Sequence, residues 1–240
     1  MGGGAKPFGV DAEQVPALVR EINAAGADWR GFHIFAGSQA LSAAAIAETQ
    51  AQTLALAAEL AEAIGESPPL VNLGGGMGVP YFAGDEPVDV GHVGAELAER
   101  LATRADILSG SRFAMELGRW LVAEAGVYVT RIVDRKTSHG ETYWVTDGGL
   151  HHQLAASGNF GTVIRRNYPI AVADKFGLAG EEVVSVVGCL CTPLDRLGDQ
   201  VQLPVADVGD LILLFQAGAY GASASPAQFL GQGPALEMLV

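Results

Sequence analysis

Near residue 124 the apolar pattern changes its period, and that change limits the folds open to this chain. Before it, apolar runs of strand length alternate with helical stripes. Val15, Leu18, Val19 and Ile22 line one face of a helix expected over 11–25, with Asp11 as its cap, Gln14 three residues on and Gly26 as its stop. Pro16 blurs the start, because proline fits best in a first turn. A strand over 30–36, an Ala-rich helix over 41–64 and a buried strand over 70–73 follow. A helix over 91–108 and a strand over 113–116 complete three βα units. After residue 124 strand follows strand, over 127–135, 142–147, 181–187 and 210–216, with Ser138-His139-Gly140-Glu141 as a hairpin turn between the first two. The predicted fold class is α/β, then mostly β. Residues 1–124 form the α/β domain, and residues 125–240 a β-sandwich or β-barrel domain. Alternating βα units imply parallel strands, but a closed (β/α)8 barrel needs about eight. The α/β part therefore reads as a partial barrel.

Charge and composition exclude some partners. A net charge of -13 argues against nucleic acid or an anionic membrane. A small anionic ligand stays open, since a few arginines and backbone N–H groups bind phosphate locally. No apolar run reaches the roughly 18 residues of a membrane span. The first residues lack the apolar core of a secretory signal, and Cys189 and Cys191 stand too close for an unstrained disulfide. The expectation is a cytoplasmic protein.

Several short motifs each admit two readings. Gly74-Gly75-Gly76, after a strand, is either a tight turn or a set of backbone N–H groups converging on an anion. It is neither a Walker loop nor a dinucleotide fingerprint, because no Gly-Lys-Ser/Thr follows and Val79 stands where the third glycine belongs. Glu116-Leu117-Gly118-Arg119 ends the next strand and is either a salt bridge or a catalytic-face pair. In the second case Arg119 suits a phosphate and Glu116 a protonated ring nitrogen. Asp147-Gly148-Gly149 is a turn or a placed carboxylate, and Cys191 with Asp195 is an inert pair or an acid with a carboxylate. Tyr220, in Gly218-Ala219-Tyr220-Gly221, packs in a core or donates to phosphate. His151-His152 carries no metal signature, and no metal is expected.

The order of these motifs is more specific than any one of them. Lys6-Pro7-Phe8-Gly9, Gly37-Ser38-Gln39, Gly74 to Gly76, E-x-G-R, Asp147-Gly148, Cys191 with Asp195 and G-A-Y-G together resemble the ornithine/diaminopimelate/arginine decarboxylases, which use pyridoxal 5'-phosphate (PLP). The segments 151–169 and 191–195 are most similar to a subgroup of exosortase-A-associated and carrier-protein-linked glutamyl decarboxylases. The resemblance implies that Ser38, Gly74, Gly75, Gly76, Arg119 and Tyr220 hold the PLP phosphate and that Glu116 pairs with the pyridinium nitrogen. It implies that Asp147 and Asp195 contact substrate and that Cys191 reprotonates the decarboxylated carbon. It also implies a homodimer with shared active sites, acting on an amino acid or a carrier-protein-bound substrate.

The chain departs from the family at four points. Phe35 stands where the family has its ring-stacking histidine, with His33 two residues earlier. Leu117 and Cys189 each replace a proline. The lysine that holds PLP covalently has no counterpart among Lys6, Lys136 and Lys175. The sequence thus predicts a PLP-dependent decarboxylase represented by a truncated chain that is inactive alone. The alternative is a non-catalytic pseudoenzyme or regulatory fragment that binds a partner through the family's dimer surface. Arg165-Arg166 is the expected anion-recognition pair for a distal carboxylate or a carrier's phosphopantetheine.

Overall fold

The computed structural model describes residues 6–158 and 166–240. The chain divides into two compact units, Met1–Val79 with Glu86–Trp120, and Pro80–Asp85 with Leu121–Val240.

The first unit is a three-stranded parallel sheet with helices. Its strands are β1 (Phe32–His33), β2 (Leu70–Asn72) and β3 (Arg112–Ala114), paired in that order. Helix α1 (Val15–Ala24) starts later than its periodicity suggests, because a 3-10 turn at Ala12–Gln14 precedes it and Asp11 makes no side-chain cap. Helix α2 (Ala43–Ile64) is capped by Ser42, whose Oγ accepts the Ala45 N–H at 3.3 Å, and it ends at Gly65 with φ 81°. It buries Leu54, Ala57, Leu60 and Ala61 against Phe32, Val71, Leu73 and Leu108, which form the unit's main core. Helix α3 (Val90–Ala102) is capped by Asp89 and stops short of the expected 108. The Arg104 guanidinium takes the carbonyls of Leu101, Leu108 and Ser109 at 2.5–3.3 Å, so the chain folds back there.

The expected strand over 30–36 pairs only at Phe32–His33. Beyond it, Ile34 N still donates to Asn72 O at 3.0 Å, and then the chain leaves the sheet for the loop that carries Ser38.

The second unit is a six-stranded mixed sheet, ordered β6-β9-β4-β5-β7-β8. Its strands are β4 (Tyr128–Ser138), β5 (Glu141–Thr146), β6 (Ile170–Val172), β7 (Glu182–Val187), β8 (Arg196–Leu203) and β9 (Leu211–Leu214). β4 and β5 form the expected hairpin, with His139 and Gly140 both at positive φ in its tight turn. The sheet curls almost into a barrel. Asn167, just before edge strand β6, spans to edge strand β8 by donating to Asp199 O at 2.7 Å and accepting from Asp199 N at 2.9 Å. Trp144, Ile132, Leu197, Ile212 and Leu214 fill the interior and are fully buried. Two strands were not foreseen. β6 is only three residues long after Pro169, and β8 (RLGDQVQL) carries too many polar residues and a glycine to stand out.

Among the described residues, no helix is long and apolar enough to cross a membrane.

Candidate functional site

In the first unit, the three strands end beside one another and bring several expected site residues together. Parallel register pairs His33 with Asn72, and Asn72 with Ala114. Glu116 follows Ala114 by two residues and so returns to the same face of the sheet. The side chains meet accordingly. His33 Nε2–H donates to Glu116 Oε1 at 2.6 Å, and Asn72 Nδ2 donates to Glu116 Oε2 at 3.3 Å. The Glu116 side chain is about half exposed (48%), so the carboxylate keeps lone pairs open to a ligand.

The glycine run packs against the Glu116 backbone. A Cβ on Gly75 would stand 2.0 Å from Glu116 O, and one on Gly76 would stand 2.0 Å from Gly37 O. Close backbone approach alone therefore excludes any side chain at either position. The Glu116 N–H donates to Gly74 O at 2.9 Å. Gly74 N donates to Asn72 Oδ1, also at 2.9 Å. By contrast, among the described residues the Gly75 and Gly76 N–H groups make no hydrogen bond. Two free N–H donors beside an open carboxylate suit a ligand with an anionic group at one end and a protonated nitrogen at the other. PLP has that chemistry, so the residues present fit it.

The Ser38 loop packs on the same turn. Ala40 N donates to Gly76 O at 2.9 Å, and the Gln39 amide pairs with the backbone of Val79. Ser38 itself is exposed. Phe35, just past β1, is exposed (44%) and available for stacking. Arg119 lies half-buried in the short helix α4 (Gly118–Val122) that follows Glu116.

In the second unit the expected residues gather at the ends of β5 and β7, which run parallel as neighbours. Asp147 follows β5 and is exposed. Its Oδ1 accepts from Thr130 Oγ1 at 2.7 Å and from Arg131 N at 2.8 Å, which leaves Oδ2 open. Asp195 is 2% exposed. One oxygen accepts from Leu150 N at 2.6 Å and the other from Leu190 N at 2.9 Å. This one carboxylate thus ties the loop after Asp147 to the loop that carries both cysteines. It explains Gly149 and Gly188 as well, since a Cβ on either would lie within 2.3 Å of an Asp195 oxygen.

Cys189 and Cys191 are both exposed, with Leu190 buried between them. Cys189 Sγ lies 3.7 Å from Asp147 O. Desolvation and the Asp195 carboxylate push its thiol up, which keeps it protonated. Tyr220 is partly exposed (42%) and holds a positive φ of 58°.

Some structured residues were not foreseen. The Tyr128 O–H donates to His152 Nδ1 at 3.1 Å, and His152 Nε2–H donates to Gly233 O at 3.1 Å. Burial pushes the Tyr128 phenol well above its ordinary value, and Asp147 and Asp195 push it the same way. It also excludes a side chain from Gly148, whose Cβ would sit 1.9 Å from the phenol oxygen. The Asp-Gly-Gly run is therefore shaped by two polar groups, one on β4 and one after β7. Asn72 was the more findable omission: it is a polar residue ending a buried strand just before the glycines.

Of the arginine pair, Arg165 lies outside the described residues. Arg166 lies over the Phe82 ring at 4.2 Å, donates to Ala83 O at 3.2 Å and stands 3.6 Å from Asp85.

Comparison with known proteins shows the family and the fold. The signature of the pyridoxal-dependent decarboxylase C-terminal sheet domain matches residues 20–218. The chain belongs to the pyridoxal-dependent decarboxylases. It is 37% identical to the L-glutamyl-[BtrI acyl-carrier protein] decarboxylase of Niallia circulans, covering 100% of this chain and 57% of that protein. It is 31% identical to the diaminopimelate decarboxylase of Archaeoglobus fulgidus, covering 97% and 54%. A diaminopimelate decarboxylase crystal structure superposes with a TM-score of 0.77 at 25% identity, over 91% of this chain and 52% of that one. A structure of SrLDC in complex with PLP and cadaverine does so with a TM-score of 0.77 at 25% identity, over 96% and 58%. The chain thus spans somewhat more than half the length of these decarboxylases.

Proposed function

We propose that this chain carries the cofactor-anchoring and proton-delivering residues of a PLP-dependent decarboxylase acting on an amino acid or on an aminoacyl group held by a carrier protein. The observation that carries this reading is the half-exposed Glu116 carboxylate together with the Gly75 and Gly76 N–H groups, which make no hydrogen bond among the described residues. When bound, PLP supplies the electron sink for the pair left as CO2 departs. Gly75 and Gly76 donate to its phosphate, with Ser38, Gly74 and Arg119 as further contacts. Arg119 adds a charge-assisted bond. Glu116 accepts from the ring nitrogen and favours its protonated form. Phe35 stacks on the ring, although it lacks the N–H that an imidazole would offer.

In the second unit, Asp147 presents its open oxygen to the substrate, and Cys191 returns a proton to the α-carbon as general acid. Asp195 touches substrate in neither step. Enclosed by two backbone N–H donors, it is a positioning residue for the loops of Asp147 and Cys191. The working protein is a homodimer in which Cys191 serves the site of the second copy. Lys175 is not the covalent lysine, because its Nζ is held by Val205 O at 2.7 Å and Asp210 at 3.0 Å.

The test is release of labelled CO2 by the natural gene product with PLP. Carboxyl-labelled ornithine, diaminopimelate, glutamate and carrier-bound glutamate are offered in parallel. Release from one of them is expected. No release from any, with PLP bound, would favour a partner-binding role instead.

A further inference from the structure

We propose that Asn72 is a positioning residue that couples the ring-nitrogen carboxylate, Glu116, to the phosphate-binding glycine turn; the proposal deepens the reading above and rests on it. The geometry fixes the direction of both Asn72 bonds. Gly74 N–H can only donate, so the Asn72 atom 2.9 Å away must be its carbonyl oxygen. The amide nitrogen must then face Glu116, where it donates to Oε2 at 3.3 Å. No flip of the amide satisfies both neighbours. The strand register supplies the reason that this side chain reaches both. Asn72 is the last residue of β2, next to His33 of β1 and Ala114 of β3, and the glycines begin two residues later.

Two groups that would hold opposite ends of one cofactor thus share a single short, rigid link. His33 holds the other carboxylate oxygen at 2.6 Å, so Glu116 has little freedom to rotate while Asn72 stays in place. Displacing Glu116 releases Asn72, and releasing Asn72 frees the Gly74 N–H and with it the turn. Anion binding at Gly75 and Gly76 and nitrogen recognition at Glu116 then act as one event rather than two.

Amide hydrogen exchange of the unliganded full chain, followed by NMR, tests the link without any cofactor. Asn72→Ala should speed exchange at Gly74 by about tenfold, the loss expected for one hydrogen bond. The Leu73 amide, which bonds to Ala114 O, serves as the internal control and should not change. Glu116→Ala should also speed Gly74 exchange, by about threefold, although Glu116 does not touch that N–H through its side chain. In Glu116→Gln the carbonyl oxygen still accepts from Asn72 while the amide faces His33, whose neutral ring can accept as the other tautomer, so the parent rate should return. Unchanged Gly74 exchange in Glu116→Ala, or failure of Glu116→Gln to restore it, would overturn the coupling. A second arm uses Asn72→Asp, which keeps the acceptor for Gly74 but turns a like charge towards Glu116. The added charge should weaken inorganic phosphate modestly, and PLP, which also needs Glu116, by about tenfold more than phosphate. Equal weakening of both would overturn the assigned directions. If the parent binds no PLP at all, the proposed function fails, and the exchange results still decide the role of Asn72.

Discussion

Asp195→Ala should be among the most damaging single changes in the β unit. The Asp195 carboxylate is 2% exposed and accepts two backbone N–H bonds, from Leu150 at 2.6 Å and Leu190 at 2.9 Å. Hydrogen bonds to a charged acceptor contribute about 1.5–3 kcal/mol each, and removal strands both amides in buried positions. A loss of about 3–5 kcal/mol follows, a large share of the roughly 5–15 kcal/mol that holds a domain folded. Asp195→Asn is the sharper probe. Its carbonyl keeps one of the two bonds, but its amide faces the other N–H donor, so about half of that loss should remain. Urea unfolding followed by tryptophan fluorescence measures both, with Trp144 buried in the same unit as a reporter. A cost under about 1 kcal/mol for Asp195→Ala would refute the two-loop tie. So would an asparagine variant as stable as the parent.

Three further outcomes follow from the same geometry. His151 is 1% exposed, its Nδ1 has no partner among the described residues, and burial together with His152 depresses its basicity. The unfolded chain then binds a proton that the native state refuses. Stability should therefore be full above about pH 6.5 and fall as pH drops below it, by at most about 1.4 kcal/mol per pH unit, and His151→Gln should flatten the slope. Cys191→Ala should impair product formation in the natural gene product while Cys189→Ala leaves it intact; the reverse result would move the acid to Cys189. Arg166→Ala should slow turnover of a carrier-bound or distally anionic substrate if its exposed side takes part in recognition, and unchanged kinetics on the best substrate would confine Arg166 to its contacts with Phe82 and Asp85.

The sequence exposed those parts of the fold that depend on periodicity and backbone chemistry. The α2 stripe, the alternating apolar strands β4 and β5 and the His139-Gly140 hairpin all carry local signals that tertiary packing reinforces. Strands β6 and β8 carry none. β8 owes its place to pairing with β7 and to the Asn167 bridge at Asp199, contacts distant in sequence. The same division runs through the candidate site. Gly74 to Gly76 and Glu116 announce themselves as a glycine run and a charged strand end. His33 and Asn72 become meaningful only once the parallel register sets them side by side. Asp195 illustrates the opposite problem. Its motif drew attention to it, but its burial and its two N–H donors depend on contacts distant in sequence.

In the proposed function, Glu116 and the glycine turn hold the two ends of PLP, with Arg119 assisting at the phosphate. Equilibrium dialysis of PLP against the parent chain, Glu116→Ala and Arg119→Ala tests it most directly, with inorganic phosphate as competitor. The parent should bind PLP, and phosphate should displace it. Arg119→Ala should weaken binding by about 10- to 100-fold, the worth of one charge-assisted contact, and Glu116→Ala by a comparable factor. Parent and variants binding PLP with equal affinity, or binding that phosphate does not touch, would contradict it.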